Sequence, residues 1–247
     1  MANFKPLKDY MFYCLDHCIK QYNLEPPFLD IGCGIGDVSK YLAKKGWNGK
    51  AVDYSNVACK EAKENLSSFA NVQVENVSLL EIEGSFNTII LWDVIEHIEN
   101  DTEALEKISS LLTKNGKLLI ATPSNPKEWR WDDEFYGHYR RYTTEDITLK
   151  INKANMKPIA FWDFTYPVFW LMRRIYTFIK RPVKQHSYNK EEKTKVSATV
   201  NAWDIPFLNI MIKLSSFIWP PVYAIQFRFF KKYINKGHEF FVLTERA

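Results

Sequence analysis

The 247-residue sequence contains only four cysteines, and they lack the spacing of a disulfide framework or a metal site. No two of them form a Cys-x-x-Cys pair, and no histidine or cysteine cluster accompanies Cys14 and Cys18, which lie one helical turn apart. This usage is typical of reduced thiols packed in the core of a cytoplasmic protein. The sequence therefore predicts no metal ligands and a cytoplasmic location.

Long apolar runs and internal repeats are also missing. Residues 1–20 contain lysines and aspartates in place of the apolar core of a signal peptide. The longest apolar stretch is interrupted by Lys213 and by Pro220-Pro221, which argues against a membrane-spanning helix. The net charge of +4 is modest, so the overall charge does not require a nucleic-acid partner. We expect a single domain over residues 1–247.

The apolar residues that are present follow alternating strand and helix patterns. Helical spacing within residues 1–25 predicts an N-terminal helix, and short apolar runs that end at turn residues predict strands. Because strands alternate with helices, we expect an α/β fold with a mostly parallel sheet. The predicted strands cover residues 28–31, 50–53, 72–77, 86–92, 117–121, 157–162 and 239–244, and further helices cover residues 38–43, 56–66, 101–112 and a segment that opens at Thr143.

Segment 164–238, between the last two predicted strands, is far longer than a hairpin connection requires. Its aromatic-rich stretches, 166–179 and 203–230, predict a helical cap inserted into the fold. Residues 173–195 carry eight basic and two acidic side chains. This surplus is consistent with peripheral contact of residues 166–230 with an anionic membrane surface or a lipid-like substrate. A solvated basic face over an ordinary helical core is the alternative.

Only nine glycines occur, and three of them are concentrated in the turn Gly32-Cys33-Gly34-Ile35-Gly36 after the first predicted strand. A dinucleotide-binding turn would have its third glycine at Asp37, where a carboxylate opposes a pyrophosphate. S-adenosylmethionine (SAM) has no phosphate, and Asp30 and Asp37 could offset its ammonium and sulfonium charges. Asp53, about twenty residues after the turn, is placed to accept hydrogen bonds from both ribose hydroxyls. The pattern predicts SAM as the cofactor.

Four segments, residues 29–36, 51–55, 86–98 and 116–123, together resemble the successive motifs of class I SAM-dependent methyltransferases. The small-molecule branch that includes ubiquinone-biosynthesis O-methyltransferases is the most similar, over roughly residues 25–165. The resemblance implies a Rossmann-like, seven-stranded, mostly parallel sheet with its last strand antiparallel and helices on both faces. It also implies cofactor contacts from Asp30, Gly32, Cys33, Gly34, Gly36, Asp53, Tyr54, Asn76, Val77, Trp92 and Asp93. Asn76 departs from the aspartate that such enzymes commonly carry, although its amide oxygen can still accept a hydrogen bond.

Two histidines are candidates for removing a proton from the methyl acceptor. His97 follows the fourth strand, and His138 lies in the loop after the fifth. His97 could equally cap a helix or pack in the core. Next to His138, four side chains could grip an anionic acceptor, and they are Tyr139, Arg140, Arg141 and Tyr142. The arginine pair could instead brace the loop against the acidic residues of segment 132–134.

The leading hypothesis is a SAM-dependent enzyme that methylates a small molecule, at a hydroxyl oxygen of a hydrophobic, anionic or lipid-like acceptor. An RNA- or DNA-methylating enzyme is a weaker alternative, because the Asn/Asp-Pro-Pro-Tyr/Phe run of amino-methylating nucleic-acid enzymes is absent after the fourth strand. A SAM-fold protein that binds without catalysing is another alternative, and a nicotinamide oxidoreductase is disfavoured by Asp37. The acceptor, the methylated atom and the oligomeric state stay open.

Overall fold

The computed structural model describes residues 6–180 and 216–246. Residues 181–215, which join the two aromatic-rich stretches and include the first part of the second one, lie outside the described residues. Seven strands form one sheet in the order β3-β2-β1-β4-β5-β7-β6, and β7 is antiparallel to both of its neighbours. The predicted α/β class and antiparallel last strand are confirmed. The strands are β1 (Phe28–Ile31), β2 (Gly49–Asp53), β3 (Val72–Asn76), β4 (Phe86–Trp92), β5 (Leu112–Pro123), β6 (Met156–Asp163) and β7 (Glu239–Arg246).

The helices lie on both faces of this sheet, as the strand periodicity requires. Successive residues of β4 point to opposite sides, with Ile89 and Leu91 in one apolar cluster and Ile90 in another. The first cluster is closed by α4 and α6, and the second is closed by α1 and the inserted helices. The helices are α1 (Pro6–Tyr22), α2 (Asp37–Ala43), α3 (Asn56–Leu66), α4 (Asp101–Leu111), α5 (Trp131–Tyr136), α6 (Thr144–Lys153), α7 (Val168–Ile179) and α8 (Trp219–Phe230).

Two local features differ in how well the sequence predicts them, the start of α6 and the extent of β5. Thr143 Oγ1 accepts a hydrogen bond from the backbone N–H of Asp146 at 3.1 Å, and the Asp146 carboxylate accepts from Thr143 in return. A capping box therefore forms at Thr143, where the sequence predicts that a helix opens. Strand β5 is longer than residues 117–121 because Leu112 already pairs with Phe86. Asn115 adopts a left-handed backbone between these pairings, so Asn115-Gly116 forms an irregularity inside the strand.

The described part of the insertion packs on the N-terminal helix. The ring centroid of Tyr10 lies 5.4 Å from that of Phe169 on α7 and 5.3 Å from that of Tyr223 on α8. Gln226 of α8 also donates to the backbone carbonyl of Phe164 at 2.7 Å. The insertion is therefore joined to the core through α1 and the end of β6. Among the described residues, no helix is both long enough and apolar enough to cross a bilayer.

The topology brings the predicted site to one edge of the sheet. Parallel strands β1, β2, β3 and β4 all end at that edge, so the residues that follow them become neighbours. Strand β7 runs the other way, and Glu239 at its start pairs with Pro123 at the end of β5. The beginning of β7 therefore joins the same edge, which the positions of these residues in the sequence do not indicate.

Candidate active site

The glycine turn joins β1 to α2 by three left-handed backbone conformations. Gly32, Gly34 and Gly36 have φ angles of 67°, 54° and 82°, a region that other residues rarely adopt. A Cβ at Gly32 would lie 2.5 Å from a methyl carbon of Val94, whereas one at Gly34 would meet no atom within 4 Å. Gly32 is therefore required by packing, and Gly34 leaves open space through which a ligand can approach the backbone.

Two buried carboxylates flank this turn. One oxygen of Asp30 accepts hydrogen bonds from the backbone N–H and the hydroxyl of Ser39, at 3.1 and 2.6 Å. The two oxygens of Asp53 accept from the backbone N–H groups of Gly34 and Ser55, at 2.9 and 2.8 Å. Burial raises the pKa of Asp30 to about 7 and also raises the pKa of Asp53. Both carboxylates would be stabilised by a cationic ligand, so the turn fits the charge and the shape of SAM.

The other residues implied by the resemblance differ in how they face this space. The amide nitrogen of Asn76 donates to the backbone carbonyl of Asp53 at 2.9 Å, which leaves its oxygen as the acceptor for a base amino group. Tyr54 is exposed and Val77 is half-buried. The Cys33 side chain packs in an apolar cluster, and its thiol donates to the backbone carbonyl of Gly34 at 3.7 Å. Trp92 packs edge to face on Phe241, with 5.4 Å between ring centroids.

Lys8 of α1 reaches the site, which sequence reasoning missed. Its ammonium forms an ion pair with Asp37, the first residue after the glycine turn. The same charge acts on Asp93, whose pKa is raised by burial and by Glu96 and lowered by Lys8 and Arg141. Lys8 is one of 33 lysines and arginines and lies in no motif, so nothing in the sequence marks it.

Asp93 directly follows β4 and precedes Glu96 and His97 in the sequence. Its backbone is left-handed, with φ of 53°, a conformation that is uncommon outside glycine and is concentrated at functional sites. Its side chain is exposed to solvent, yet desolvation by the surrounding protein raises its pKa. Asp93 is therefore accessible to a ligand and close to the buried acidic residue Glu96.

Glu96, His97 and His138 come together after the ends of β4 and β5. Each offers one ligand atom, and these atoms lie within 4.8 Å of one another, close enough to share a proton or a divalent cation. Glu96 is fully buried, and its Oε2 accepts from the Thr122 hydroxyl at 2.9 Å. Its Oε1 has no hydrogen-bond partner among the described residues. Burial raises the pKa of Glu96 to about 8 and lowers the pKa of His97 to about 3, so a neutral imidazole is available.

The two predicted catalytic histidines are thus neighbours, with ring centroids 4.8 Å apart. Glu96 and Glu239 were not among the predicted catalytic or ligand residues. Glu239 also has an unpartnered carboxylate oxygen among the described residues, and burial and Asp93 raise its pKa. A bound cation would favour the charged forms of Asp93, Glu96 and Glu239, whose pKa values are raised by burial.

The four predicted acceptor-binding residues have protein partners. Arg141 is buried and donates to Asp133 at 2.8 Å and to the backbone carbonyls of Ser124 and His238. These contacts are those of the loop-bracing alternative. Arg140 forms an ion pair with Asp101, and the Tyr142 hydroxyl donates to the same carboxylate at 2.7 Å. The Tyr139 backbone N–H donates to the carbonyl of Glu96 at 2.8 Å. Acceptor binding by all four residues stays a prediction.

Comparisons with known proteins agree with this geometry. A family model described as a methyltransferase domain matches residues 11–160, more than half of the chain. A ubiquinone biosynthesis O-methyltransferase of Xanthomonas euvesicatoria is 34% identical over 99 residues, covering 38% of this chain and 41% of that protein. The enzyme of the same description from Rickettsia felis is 30% identical over 122 residues, covering 47% and 50%. The chain thus matches half or less of the length of these relatives.

Solved structures share the fold at low sequence identity. A putative sarcosine dimethylglycine methyltransferase from Galdieria sulphuraria has a TM-score of 0.61 and 16% identity, with 98% of this chain and 86% of that one covered. Magnesium protoporphyrin IX methyltransferase from Synechocystis, solved with bound SAM, has a TM-score of 0.55 and 14% identity, with 98% and 79% covered. The chain therefore belongs to the methyltransferase domain family, as a class I enzyme whose cofactor is S-adenosylmethionine.

Proposed function

We propose that this enzyme transfers the methyl group of SAM to a hydroxyl oxygen of a small, apolar or lipid-like acceptor. The observation that carries the proposal is a juxtaposition at one edge of the sheet. The glycine turn and Asp53 follow β1 and β2, and Asp93 and the group of Glu96, His97 and His138 follow β4 and β5. The ends of β1 and β2 fit the cofactor, and the group after β4 and β5 holds side chains that can accept a proton. The similarity to enzymes of ubiquinone biosynthesis supports a phenolic hydroxyl as the methylated group.

The cofactor contacts follow from the strand ends. Asp53 would bind the ribose hydroxyls, and Asn76 and Val77 would flank the adenine. Gly34 would pass close to the cofactor because no side chain fills the space above it. When bound, SAM supplies an electrophilic methyl group on a sulfonium. Lys8 would exchange its ion pair with Asp37 for one with the SAM carboxylate, and Asp30 and Asp37 would offset the charge of the SAM ammonium.

Methyl transfer requires alignment of the acceptor oxygen and removal of its proton. Glu96, His97 and His138 form the nearest group that can receive that proton or hold a cation that makes the hydroxyl more acidic. The backbone bond from Tyr139 to the Glu96 carbonyl holds the loop after β5 over this group. Tyr139 and Arg140 lie next to His138 in sequence, and we assign the acceptor's polar end to them.

Calorimetric titration with SAM tests the cofactor assignment. We expect micromolar binding that Asp53→Ala abolishes, while Glu75→Gln, a change at a half-buried residue of β3, leaves it intact. Turnover is then measured as release of S-adenosylhomocysteine with an alkyl catechol in detergent micelles. Absence of SAM binding would refute the function. SAM binding with turnover of an RNA or DNA oligonucleotide, but of no phenol, would favour the nucleic-acid alternative, and binding without turnover would favour the silent one.

The inserted helices offer a surface for peripheral membrane contact. Residues 164–180 and 216–238 contain seven lysines and arginines and no acidic residue. Large apolar side chains are exposed on these helices, at Leu171, Ile175, Phe178, Ile179, Ile225 and Phe229. Exposed apolar groups beside basic ones bind anionic bilayers. This contact would give the enzyme access to a lipid-like acceptor.

Vesicle sedimentation tests that contact. We expect the enzyme to bind phosphatidylglycerol vesicles more strongly than phosphatidylcholine vesicles, and Phe178→Ser with Phe229→Ser to weaken the binding. Leu149→Ser is the matched control because Leu149 is similarly exposed, on α6. Equal sedimentation with both lipids, or equal weakening by the control, would contradict the proposal.

A further inference from the structure

We infer that Arg173, on the inserted helix α7, is a positioning residue that orients His138 through Asp133. The inference rests on the proposed function, because it gives α7 a part in the methyl-transfer reaction. The juxtaposition behind it is a continuous chain of contacts from the insertion to the active site. Each link is a hydrogen bond between buried or half-buried groups.

The first link joins His138 to Asp133. The Nδ1 atom of His138 lies 2.9 Å from Oδ1 of Asp133, and the backbone N–H of His138 donates to the backbone carbonyl of the same residue at 2.9 Å. Because the carboxylate accepts, Nδ1 carries the hydrogen and Nε2 is left as the atom that can accept a proton or bind a cation. Asp133 thus selects both the tautomer and the direction of the ring.

The second link fixes Asp133 itself. Its other oxygen, Oδ2, accepts from Arg173 at 2.9 Å and from the backbone N–H of Arg130 at 2.8 Å, while Oδ1 is shared by His138 and Arg141. Arg130 and Arg141 belong to the segment after β5, whereas Arg173 belongs to α7. The orientation of Asp133 therefore depends in part on Arg173.

The third link fixes Arg173. Its guanidinium binds Asp132 with two hydrogen bonds, at 2.6 and 2.8 Å, and the backbone carbonyl of Glu128 at 2.9 Å. Arg173 is 5% exposed, and it comes from a helix that lies between β6 and β7 in the sequence. Of the charged partners of Asp133, Arg141 belongs to the loop after β5, whereas Arg173 belongs to the insertion. The position of α7 is therefore transmitted to His138.

Imidazole NMR of the metal-free, full-length enzyme tests the inference without an acceptor. Long-range ¹H–¹⁵N spectra report which ring nitrogen of His138 carries the hydrogen, with His138→Asn used for assignment. We expect the Nδ1–H tautomer in the wild type, a mixture in Arg173→Gln, and loss of the preference in Asp133→Asn. Arg173→Lys should restore it in part. Arg174→Gln is the matched control, because Arg174 is the neighbouring arginine on α7 and binds Glu128 instead of Asp133.

Turnover of the alkyl catechol supplies a second readout. Loss of a residue that orients a reacting group reduces rates by about 10 to 100-fold. We expect kcat to fall about 10-fold in Arg173→Gln and about 100-fold in Asp133→Asn, while the Kd for SAM stays within about twofold. If Arg173 acts through Asp133, Arg173→Gln should add almost nothing in the Asp133→Asn background.

The outcomes separate this inference from the proposed function. An unchanged His138 tautomer in folded Asp133→Asn and Arg173→Gln refutes the positioning role, even if both lose activity through instability. Full turnover in His138→Asn refutes the catalytic assignment of His138. Absence of SAM binding in the wild type refutes the function itself. Circular dichroism and thermal unfolding of each variant show which of them are folded.

Discussion

The carboxyl of Asp30 should make SAM binding a proton-releasing reaction. In the unbound enzyme burial raises its pKa to about 7, against the two hydrogen bonds from Ser39, and Asp53 and Asp37 raise it further. About half of the molecules therefore carry a proton on Asp30 at pH 7. A bound ammonium and sulfonium would favour the carboxylate and lower this pKa. Binding at pH 7 should then release up to about 0.5 proton per SAM, falling to about 0.1 at pH 8.

Isothermal titration calorimetry in two buffers measures this release. The apparent binding enthalpy should differ between phosphate and Tris in proportion to the ionisation enthalpies of the buffers, and the difference should shrink as the pH rises. Asp30→Asn keeps an oxygen that can accept from Ser39 but has no proton to release, so its enthalpy should not depend on the buffer. Identical wild-type enthalpies in both buffers at pH 7 would show that Asp30 is already charged before the cofactor binds.

Three further predictions follow from buried groups of the same site. The pKa of Asp30 in the folded state lies above its ordinary value of 3.8, so the unbound enzyme should lose stability as the pH rises from about 4 to about 7. Asp30→Asn should therefore raise the free energy of unfolding at pH 8, measured by urea denaturation, by up to about 4 kcal/mol. Gly32→Ala should lower the melting temperature, through a cost of about 1–3 kcal/mol, because the new methyl group would meet Val94, whereas Gly34→Ala should weaken SAM binding more than it weakens the fold. Mn²⁺ should bind with one equivalent per chain, and Glu96→Gln should remove that binding; turnover that is unaffected by EDTA would show that the group acts on the proton without a cation.

The fold could be predicted because local patterns and topology agree along most of the chain. The apolar run at residues 86–92 became β4 with the same bounds, and residues 56–66 became α3. In each of these segments the spacing of the apolar residues alone indicates the secondary structure. The helix start at Thr143 was predictable for the same reason, since both partners of its capping box lie within one helical turn. The glycine turn was predictable because its three left-handed conformations, at Gly32, Gly34 and Gly36, fall within five residues of one another.

The parts of the site that were missed depend on contacts between distant segments. Lys8 meets Asp37 across 29 positions of sequence, and Arg173 meets Asp133 across 40. Neither pair follows from periodicity or spacing, because each depends on how α1 and α7 lie against the edge of the sheet. Glu239 is a similar case, since only the reversal of β7 brings its first residue to the carboxyl ends of the parallel strands.

These distant contacts explain how a common cofactor fold can be adapted to a particular acceptor. The proposed cofactor side is built from the ends of β1 and β2, whose neighbours in the sheet fix them. The proposed acceptor side is built from a loop whose central carboxylate, Asp133, has one arginine from the loop and one from the insertion. A change in the insertion can therefore alter the geometry around His138 while Asp53 and the glycine turn stay in place. Such an arrangement allows acceptor specificity to change without loss of SAM binding.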